Sequence, residues 1–368
     1  MPDHSLLNIN TLSELAPSAQ PELRQVFFFH DVRIVCRTNH PRILLLLEKM
    51  LEAFPEPEML RGEACYSIYC YDDASQFPLQ LPPRRTRTET LRLLTNTRLK
   101  CYKAQGATEY QSYEAQAEVN APVLSIIYPE EHEAVTELEP LKRYQETFLQ
   151  RYVFLIALGQ LMRKFGFEPC HSAAITAPWD NSQGALILGH SGSGKTTLSL
   201  GCALSGCGLL GDDLIMLRAD GQEQKICAYS IFQEVSVRAG SLDLWPALEF
   251  LRSYPVDARD KRYCLIEHLR PGIKRTRTPV DILIFPSLTD EASSALTPLS
   301  KARTLQMLID LCTSKSNSRM SYPRAQERLF FLLSDLAQQA SGYHLAVARG
   351  ASDGPRLVRA LFTGEPHE

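Results

Sequence analysis

The hydrophobic pattern is clearest in the second half of the chain, where two short apolar runs lie close together. Residues 171–176 (HSAAIT) and 185–188 (ALIL) predict two buried strands that pair as a hairpin or as neighbours in one sheet. Residues 196–204 carry Leu198 and Cys202 at helical spacing and contain no proline, so we expect a helix there. The order of strand, loop and helix is typical of an α/β domain.

The first half mixes strand-like and helix-like segments and carries no motif with an obvious chemistry. Residues 26–36 predict two short strands around His30 and Asp31, or one bent strand, and residues 41–54 predict a helix with Pro41 in its first turn. The basic segment from Arg84 to Arg92 is predicted to be a solvated loop or an edge strand, with a phosphate or peptide contact as the alternative. We expect a small α+β domain of unknown role at 1–140, a connecting helix at 141–165 and a second domain at 166–368.

Composition narrows the class of protein. The 368 residues are 44% hydrophobic and 22% charged, as in soluble globular proteins. A net charge of −3 gives no electrostatic reason to expect a nucleic acid or an anionic membrane as a partner. The first residues lack the pattern of a signal peptide, no apolar run is long enough to span a membrane, and the ten cysteines form no C-x-x-C pair. We therefore expect a cytoplasmic protein with reduced thiols.

A glycine-rich loop lies between the predicted strand at 185–188 and the predicted helix at 196–204. It fits G-x-x-x-x-G-K-[ST] at every fixed position, with Gly189, Gly194, Lys195 and Thr196. Such a loop turns its backbone N–H groups inward at the N-terminus of a helix and so forms an anion-binding nest. The lysine adds a charge for the β- and γ-phosphates, and the threonine hydroxyl can bind Mg²⁺. The residues predicted to bind ATP are Gly189, His190, Ser191, Gly192, Ser193, Gly194, Lys195, Thr196 and Thr197.

Two adjacent carboxylates, Asp212 and Asp213, follow Lys195 by 17 and 18 residues. A helix of about ten residues and a tight return would bring them back beside the phosphate-binding loop. The apolar flanks place the pair inside a predicted strand, where carboxylates without a partner are costly. One carboxylate can hold the metal ion while the other accepts the proton of an attacking hydroxyl. A solvated turn is the alternative interpretation.

The run from HSAAI through GALILGHSGSGKTTLS to GLLGDDLIML resembles the catalytic domain of HPr kinase/phosphorylase and related kinases. The loop and GDD pieces are more distantly similar to ATP-dependent phosphoenolpyruvate carboxykinases. The resemblance covers about residues 165–365 and implies an α/β fold with a mixed sheet, preceded here by the α+β domain. It implies that Asp213 is the proton acceptor, that Asp212 and Thr196 bind Mg²⁺, and that Lys195 binds phosphate. It also implies that His171 assists near the transferred phosphate. The resemblance is also compatible with a homo-oligomer.

The chain departs from the family at a metal-binding glutamate signature, which is not found. Arg238, 25 residues after Asp213, occupies that distance, so Arg238 is a candidate phosphate contact and Glu234 a candidate metal ligand. This departure leaves phosphorylase activity, and HPr as substrate, without support. The strongly basic stretch from Arg259 to Arg277 is predicted to be a flap over the phosphates, a grip for an acidic acceptor, or a solvated loop.

These observations favour an ATP- and Mg²⁺-dependent kinase that transfers the γ-phosphoryl group to a hydroxyl. The acceptor is a serine or threonine of a protein or peptide, or a small molecule. The alternative is a regulatory module that binds ATP without transferring phosphate. A carboxykinase ranks last, because it needs a lysine and a histidine as a metal-binding pair and His171 alone is evident.

Overall fold

The structure is a computed structural model that describes residues 22–51, 54–72, 76, 86–94, 97–104, 107–113, 123–128, 132–138, 140–141, 146, 149–220, 225–257, 260–313, 323–350 and 352–363. The chain divides between Phe165 and Gly166 into two compact units. Both units combine helices with mixed sheets, so the fold is α/β. No helix in the described ranges is long and apolar enough to cross a membrane, and nine of the cysteines in those ranges are free.

The first unit is built on one eight-stranded sheet. Its spatial order is β1-β2-β3-β8-β7-β6-β5-β4, with parallel pairs at β2/β3 and β3/β8 and antiparallel pairs elsewhere. The strands are β1 Leu23–Phe29, β2 Val32–Thr38, β3 Gly62–Cys70, β4 Thr86–Leu94, β5 Thr97–Ala104, β6 Ala107–Tyr113, β7 Val123–Tyr128 and β8 Glu133–Leu138. The helices are α1 Pro41–Leu51, a π-helical segment Leu149–Phe154 and α2 Leu155–Arg163.

Several local predictions for this unit are confirmed. His30 has a left-handed φ of 54° in the turn between β1 and β2, so the segment around it forms two strands. Helix α1 begins at Pro41, and β4 is an edge strand of the sheet. Within the predicted helix at 141–165, the continuous described part begins at Leu149 and forms the π-helical segment and α2, and α2 packs against β7 and β8 of the same unit.

The second unit contains three sheets. The central sheet has the order β12-β10-β11-β18-β20-β19, a second has the order β17-β14-β13-β9, and β15 pairs with β16. The strands are β9 Glu168–Cys170, β10 Ser172–Thr176, β11 Gly184–Leu188, β12 Gly208–Gly211, β13 Ile215–Asp220, β14 Lys225–Tyr229, β15 Glu234–Val237, β16 Arg262–Leu265, β17 Arg277–Pro279, β18 Ile282–Thr289, β19 Ala295–Leu299 and β20 Ser341–Ala348. The helices are α3 Lys195–Leu204, α4 Ala239–Leu244, a 3₁₀ helix Pro246–Ser253, α5 Ile266–Leu269, α6 Lys301–Thr313, α7 Pro323–Gln339 and α8 Gly354–Thr363.

The central sheet is buried on both faces. Ile187 of β11 lies in one hydrophobic cluster with Leu198 of α3, and its neighbour Leu186 lies in the other cluster with Leu333 of α7. Strands covered on both faces are apolar at every position rather than at alternate ones, which explains the continuous apolar runs in the sequence. The predicted pairing of the first two strands is confirmed, because β10 and β11 are antiparallel neighbours.

One prediction about the acidic pair is wrong. Asp212 and Asp213 do not lie inside a single strand but at a bend between β12 and β13. Strand β12 belongs to the central sheet, whereas β13 belongs to the four-stranded sheet. The apolar residues on both sides of the pair therefore reflect two buried strands in different sheets, and the bend between them exposes the carboxylates to a cavity.

Candidate functional site

Strand topology brings three separate parts of the chain to one edge of the central sheet. Strand β10 is antiparallel to both of its neighbours, with Ser172 opposite Leu188 and Ala174 opposite Gly211. The beginning of β10 therefore lies beside the ends of β11 and β12. As a result, His171, the glycine-rich loop and the acidic pair all leave the sheet at the same place.

The glycine-rich loop between β11 and α3 needs glycine for both backbone and steric reasons. Gly192 and Gly194 have φ values of 87° and 95°, a left-handed region that side chains disfavour. A Cβ atom on Gly189 would lie 2.4 Å from Ser193 Oγ. The loop thus folds tightly back on itself and ends at Gly194, the residue before the first turn of α3.

Lys195 is the first residue of α3, and its side chain returns to the loop. Its ammonium group donates hydrogen bonds to the carbonyl oxygens of Gly189 at 2.5 Å and His190 at 3.1 Å. The residue is only 7% exposed. Burial lowers the pKa of Lys195, and the negative charges of Asp213 and Asp212 oppose that shift. The lysine and the acidic pair therefore lie within each other's electrostatic field.

Asp212 is buried, with 3% of its surface exposed, and accepts several hydrogen bonds. Its Oδ2 atom accepts a hydrogen bond from the Thr196 hydroxyl at 3.1 Å. The same oxygen accepts hydrogen bonds from Ser236, from the backbone N–H at 3.2 Å and from the hydroxyl at 3.0 Å. A hydroxyl and a carboxylate oxygen side by side are hard ligands of the kind that Mg²⁺ prefers.

Asp213 points to a different partner. Its Oδ1 atom lies 3.3 Å from Nδ1 of His171, and the two side chains are 28% and 22% exposed. A carboxylate this close to a ring nitrogen fixes the orientation of the imidazole and favours a proton on that nitrogen. The two adjacent aspartates thus have distinct surroundings, one buried against Thr196 and Ser236, the other open toward His171.

These groups line a single cavity of about 470 Å³. Of the residues predicted to bind ATP, Gly189, His190 and Ser193 are not in its lining. The predicted residues that do line it are His171, Ser191, Gly192, Gly194, Lys195, Thr196, Thr197, Asp212 and Asp213. Arg238 also lines the cavity, whereas Glu234 does not.

Sequence reasoning missed part of the cavity wall. Ser236, Trp245 and Arg349 line it, yet none of them belongs to a recognisable motif. The indole N–H of Trp245 donates to the Thr197 carbonyl oxygen at 3.0 Å and so ties this wall to α3. Trp245 follows a short apolar run, but nothing in the sequence indicates that its side chain contacts α3.

The basic stretch is divided among different structural roles. Lys261 lines the cavity, but Arg270 donates to the Gly206 carbonyl oxygen and Arg277 pairs with Asp220. Its described residues include strand β16, helix α5 and strand β17. The described part of the stretch is therefore not a single flap over the cavity, and Lys261 is the member that faces the site.

The residues present fit a nucleotide and a divalent metal. Among the described residues, the N-terminus of α3, Lys195 and the pair of Thr196 and Asp212 line the cavity and offer an anion site beside two oxygen ligands. Within those residues no set of three or more His, Cys, Asp and Glu side chains could hold a metal ion. Mg²⁺ in nucleotide sites needs few protein ligands, because phosphate oxygens and water complete its coordination.

Comparison with protein-family models found no match, and comparison with curated proteins also found none. One similar solved structure is the Hpr(Ser) kinase/phosphatase from Coxiella burnetii. The two chains are 13% identical, the alignment covers 54% of this chain and 89% of that chain, and the TM-score is 0.30. A TM-score this low does not establish a common fold.

Proposed function

We propose that the second unit is an ATP-dependent phosphotransferase that moves a γ-phosphoryl group to a hydroxyl. The observation that carries the proposal is that two adjacent aspartates in one cavity contact different partners. Thr196 is joined to Asp212 by a hydrogen bond, while Asp213 lies against His171. The first pair suits a metal ion bound to nucleotide, and the second pair offers a carboxylate that can accept a proton.

The loop and Lys195 would bind the phosphate groups of ATP. Backbone N–H groups at the N-terminus of α3 suit the inner phosphates, since the helix dipole favours negative charge there. Lys195 would exchange the carbonyl oxygens of Gly189 and His190 for phosphate oxygens, which satisfy a buried ammonium group better because they are charged. Thr196 and Asp212 would hold Mg²⁺, which neutralises developing charge on the β- and γ-phosphates.

Asp213 would accept the proton of the acceptor hydroxyl. The hydroxyl oxygen forms a bond to the γ-phosphorus as the bond to the bridging oxygen of ADP breaks, and the proton moves to the Asp213 carboxylate. His171 would hold that carboxylate in place through the contact of 3.3 Å. Positioned proton transfer of this kind contributes about 10²–10⁴-fold to a rate. The acceptor is a serine or threonine of a protein or peptide, or a small molecule.

Incubation of the purified chain with γ-labelled ATP, Mg²⁺ and a host-cell extract tests this proposal. The wild type should label an acceptor, and Asp213→Asn should lose most of the labelling while its affinity for ATP stays within about twofold. Asp180→Asn is a matched control, because Asp180 is an exposed turn aspartate that contacts Ser182 and lies outside the cavity lining. ATP binding without any labelled product would support the alternative, a regulatory module.

A further inference from the structure

Hydrogen bonds between the Lys261 backbone and Asp257 hold Lys261 in place. Its N–H donates to the side chain of Asp257 at 2.9 Å, and its carbonyl oxygen accepts from the Asp257 N–H at 2.8 Å. Asp260, just before it, has a left-handed φ of 57°. Tyr263 adds a hydrogen bond from its hydroxyl to the other Asp257 oxygen at 2.9 Å. These bonds fix the origin of the Lys261 side chain, which then extends into the cavity.

The ammonium group of Lys261 reaches the metal-binding side of the site. It donates to Ser236 Oγ at 3.1 Å, and that hydroxyl donates in turn to Asp212. Among the described residues, Ser236 is the one hydrogen-bond partner of this ammonium group. Because an ammonium group has three N–H donors, two remain for a ligand.

Lys195 and Lys261 both line the cavity, and Lys261 reaches Asp212 through the Ser236 hydroxyl. Two positive charges in one cavity repel each other unless an anion lies between them. Once Asp212 binds a metal ion, its negative charge no longer balances the positive charges of Lys195 and Lys261. Anionic oxygens of a ligand are then needed to balance them.

We propose that Lys261 is a second phosphate-binding lysine, which contacts the terminal phosphoryl group of ATP. The inference rests on the proposed function. The loop and the N-terminus of α3 would serve the inner phosphates. Lys261 comes from outside that loop and reaches Asp212, the proposed metal ligand between the β- and γ-phosphates, through Ser236. The phosphate nearest to Lys261 is then the outermost one.

Nucleotide affinities of wild type, Lys261→Met and Lys261→Arg test this assignment without an acceptor. Methionine keeps most of the apolar stem but removes the charge, and arginine restores the charge. A non-hydrolysable ATP analogue and ADP, each with Mg²⁺, are titrated by calorimetry. Lys274→Met is the matched control, because Lys274 belongs to the same basic stretch but does not line the cavity. Thermal unfolding of every variant checks that the fold is retained.

We expect Lys261→Met to weaken binding of the ATP analogue by about tenfold to hundredfold, the range for losing a charged hydrogen bond. Binding of ADP should change by less than about twofold, and Lys261→Arg should recover most of the loss. An equal loss for both nucleotides, or no loss for either, would overturn the assignment. A wild type that binds neither nucleotide would overturn the proposed function, and the role of Lys261 with it.

Discussion

Asp212 provides a sharp test of the geometry of the site, through its replacement by alanine and by asparagine. Both variants remove the same negative charge, but asparagine keeps an oxygen that can accept the hydrogen bonds of Thr196 and Ser236. The difference between the two free energies of unfolding therefore isolates these hydrogen bonds from the cost of burying a charge.

The size of the expected difference in free energy of unfolding follows from the burial of Asp212 and Ser236. Asp212 is 3% exposed and Ser236 is 2% exposed, so in Asp212→Ala the buried Ser236 N–H loses its acceptor. A buried donor without an acceptor costs about 1–3 kcal/mol. Thr196 is only half-buried, so its hydroxyl can turn to water and adds little. We expect the alanine variant to be less stable than the asparagine variant by about 1–3 kcal/mol.

Urea unfolding followed by tryptophan fluorescence measures this difference. Both tryptophans of the chain, Trp179 and Trp245, belong to the second unit, so the signal reports the unit that contains Asp212. The matched control is Asp335, which is exposed on helix α7, where alanine should be at least as stable as asparagine because of its helix propensity. Equal stabilities of the two Asp212 variants would refute the hydrogen-bond network.

Two further predictions concern the glycine-rich loop. Gly194→Ala should destabilise the second unit by about 1–2 kcal/mol and weaken ATP binding, because Gly194 has a φ of 95°. Gly240→Ala, in the same cavity wall but with open space around its Cβ position, should be neutral or stabilising in the same denaturation assay, and equal losses would refute the backbone argument. Burial lowers the pKa of Lys195, and phosphate should raise it again, so ATP binding should take up protons at alkaline pH. The binding enthalpy should then depend on the ionisation enthalpy of the buffer, and an enthalpy independent of the buffer would contradict this.

Local patterns were sufficient for the parts of the second unit whose structure depends on neighbouring residues. The paired strands β10 and β11 and the start of α3 could be predicted because each is set by a short run of apolar or glycine residues. The return of the acidic pair to the neighbourhood of the glycine-rich loop was predicted from chain length, since a short helix and a tight return lead back to it; the hydrogen bond between Thr196 and Asp212 was not predicted.

Contacts that depend on pairing between distant strands could not be predicted. Lys261 meets Ser236 because β15 and β16 pair in a separate two-stranded sheet, with Ser236 opposite Tyr263. No periodicity in the sequence indicates that register. The bend at Asp212 was missed for a related reason: β12 and β13 are both apolar, and the sequence does not show that they belong to different sheets.

The central claim is that the glycine-rich loop and the acidic pair hold one complex of ATP with Mg²⁺. The affinity of wild type and Asp212→Asn for ATP, each with Mg²⁺ and with a chelator, tests it most directly. The account predicts that Mg²⁺ tightens binding to the wild type by about tenfold or more, equivalent to about 1.4 kcal/mol, and that most of this gain is lost in Asp212→Asn. The same gain from Mg²⁺ in both proteins would contradict it.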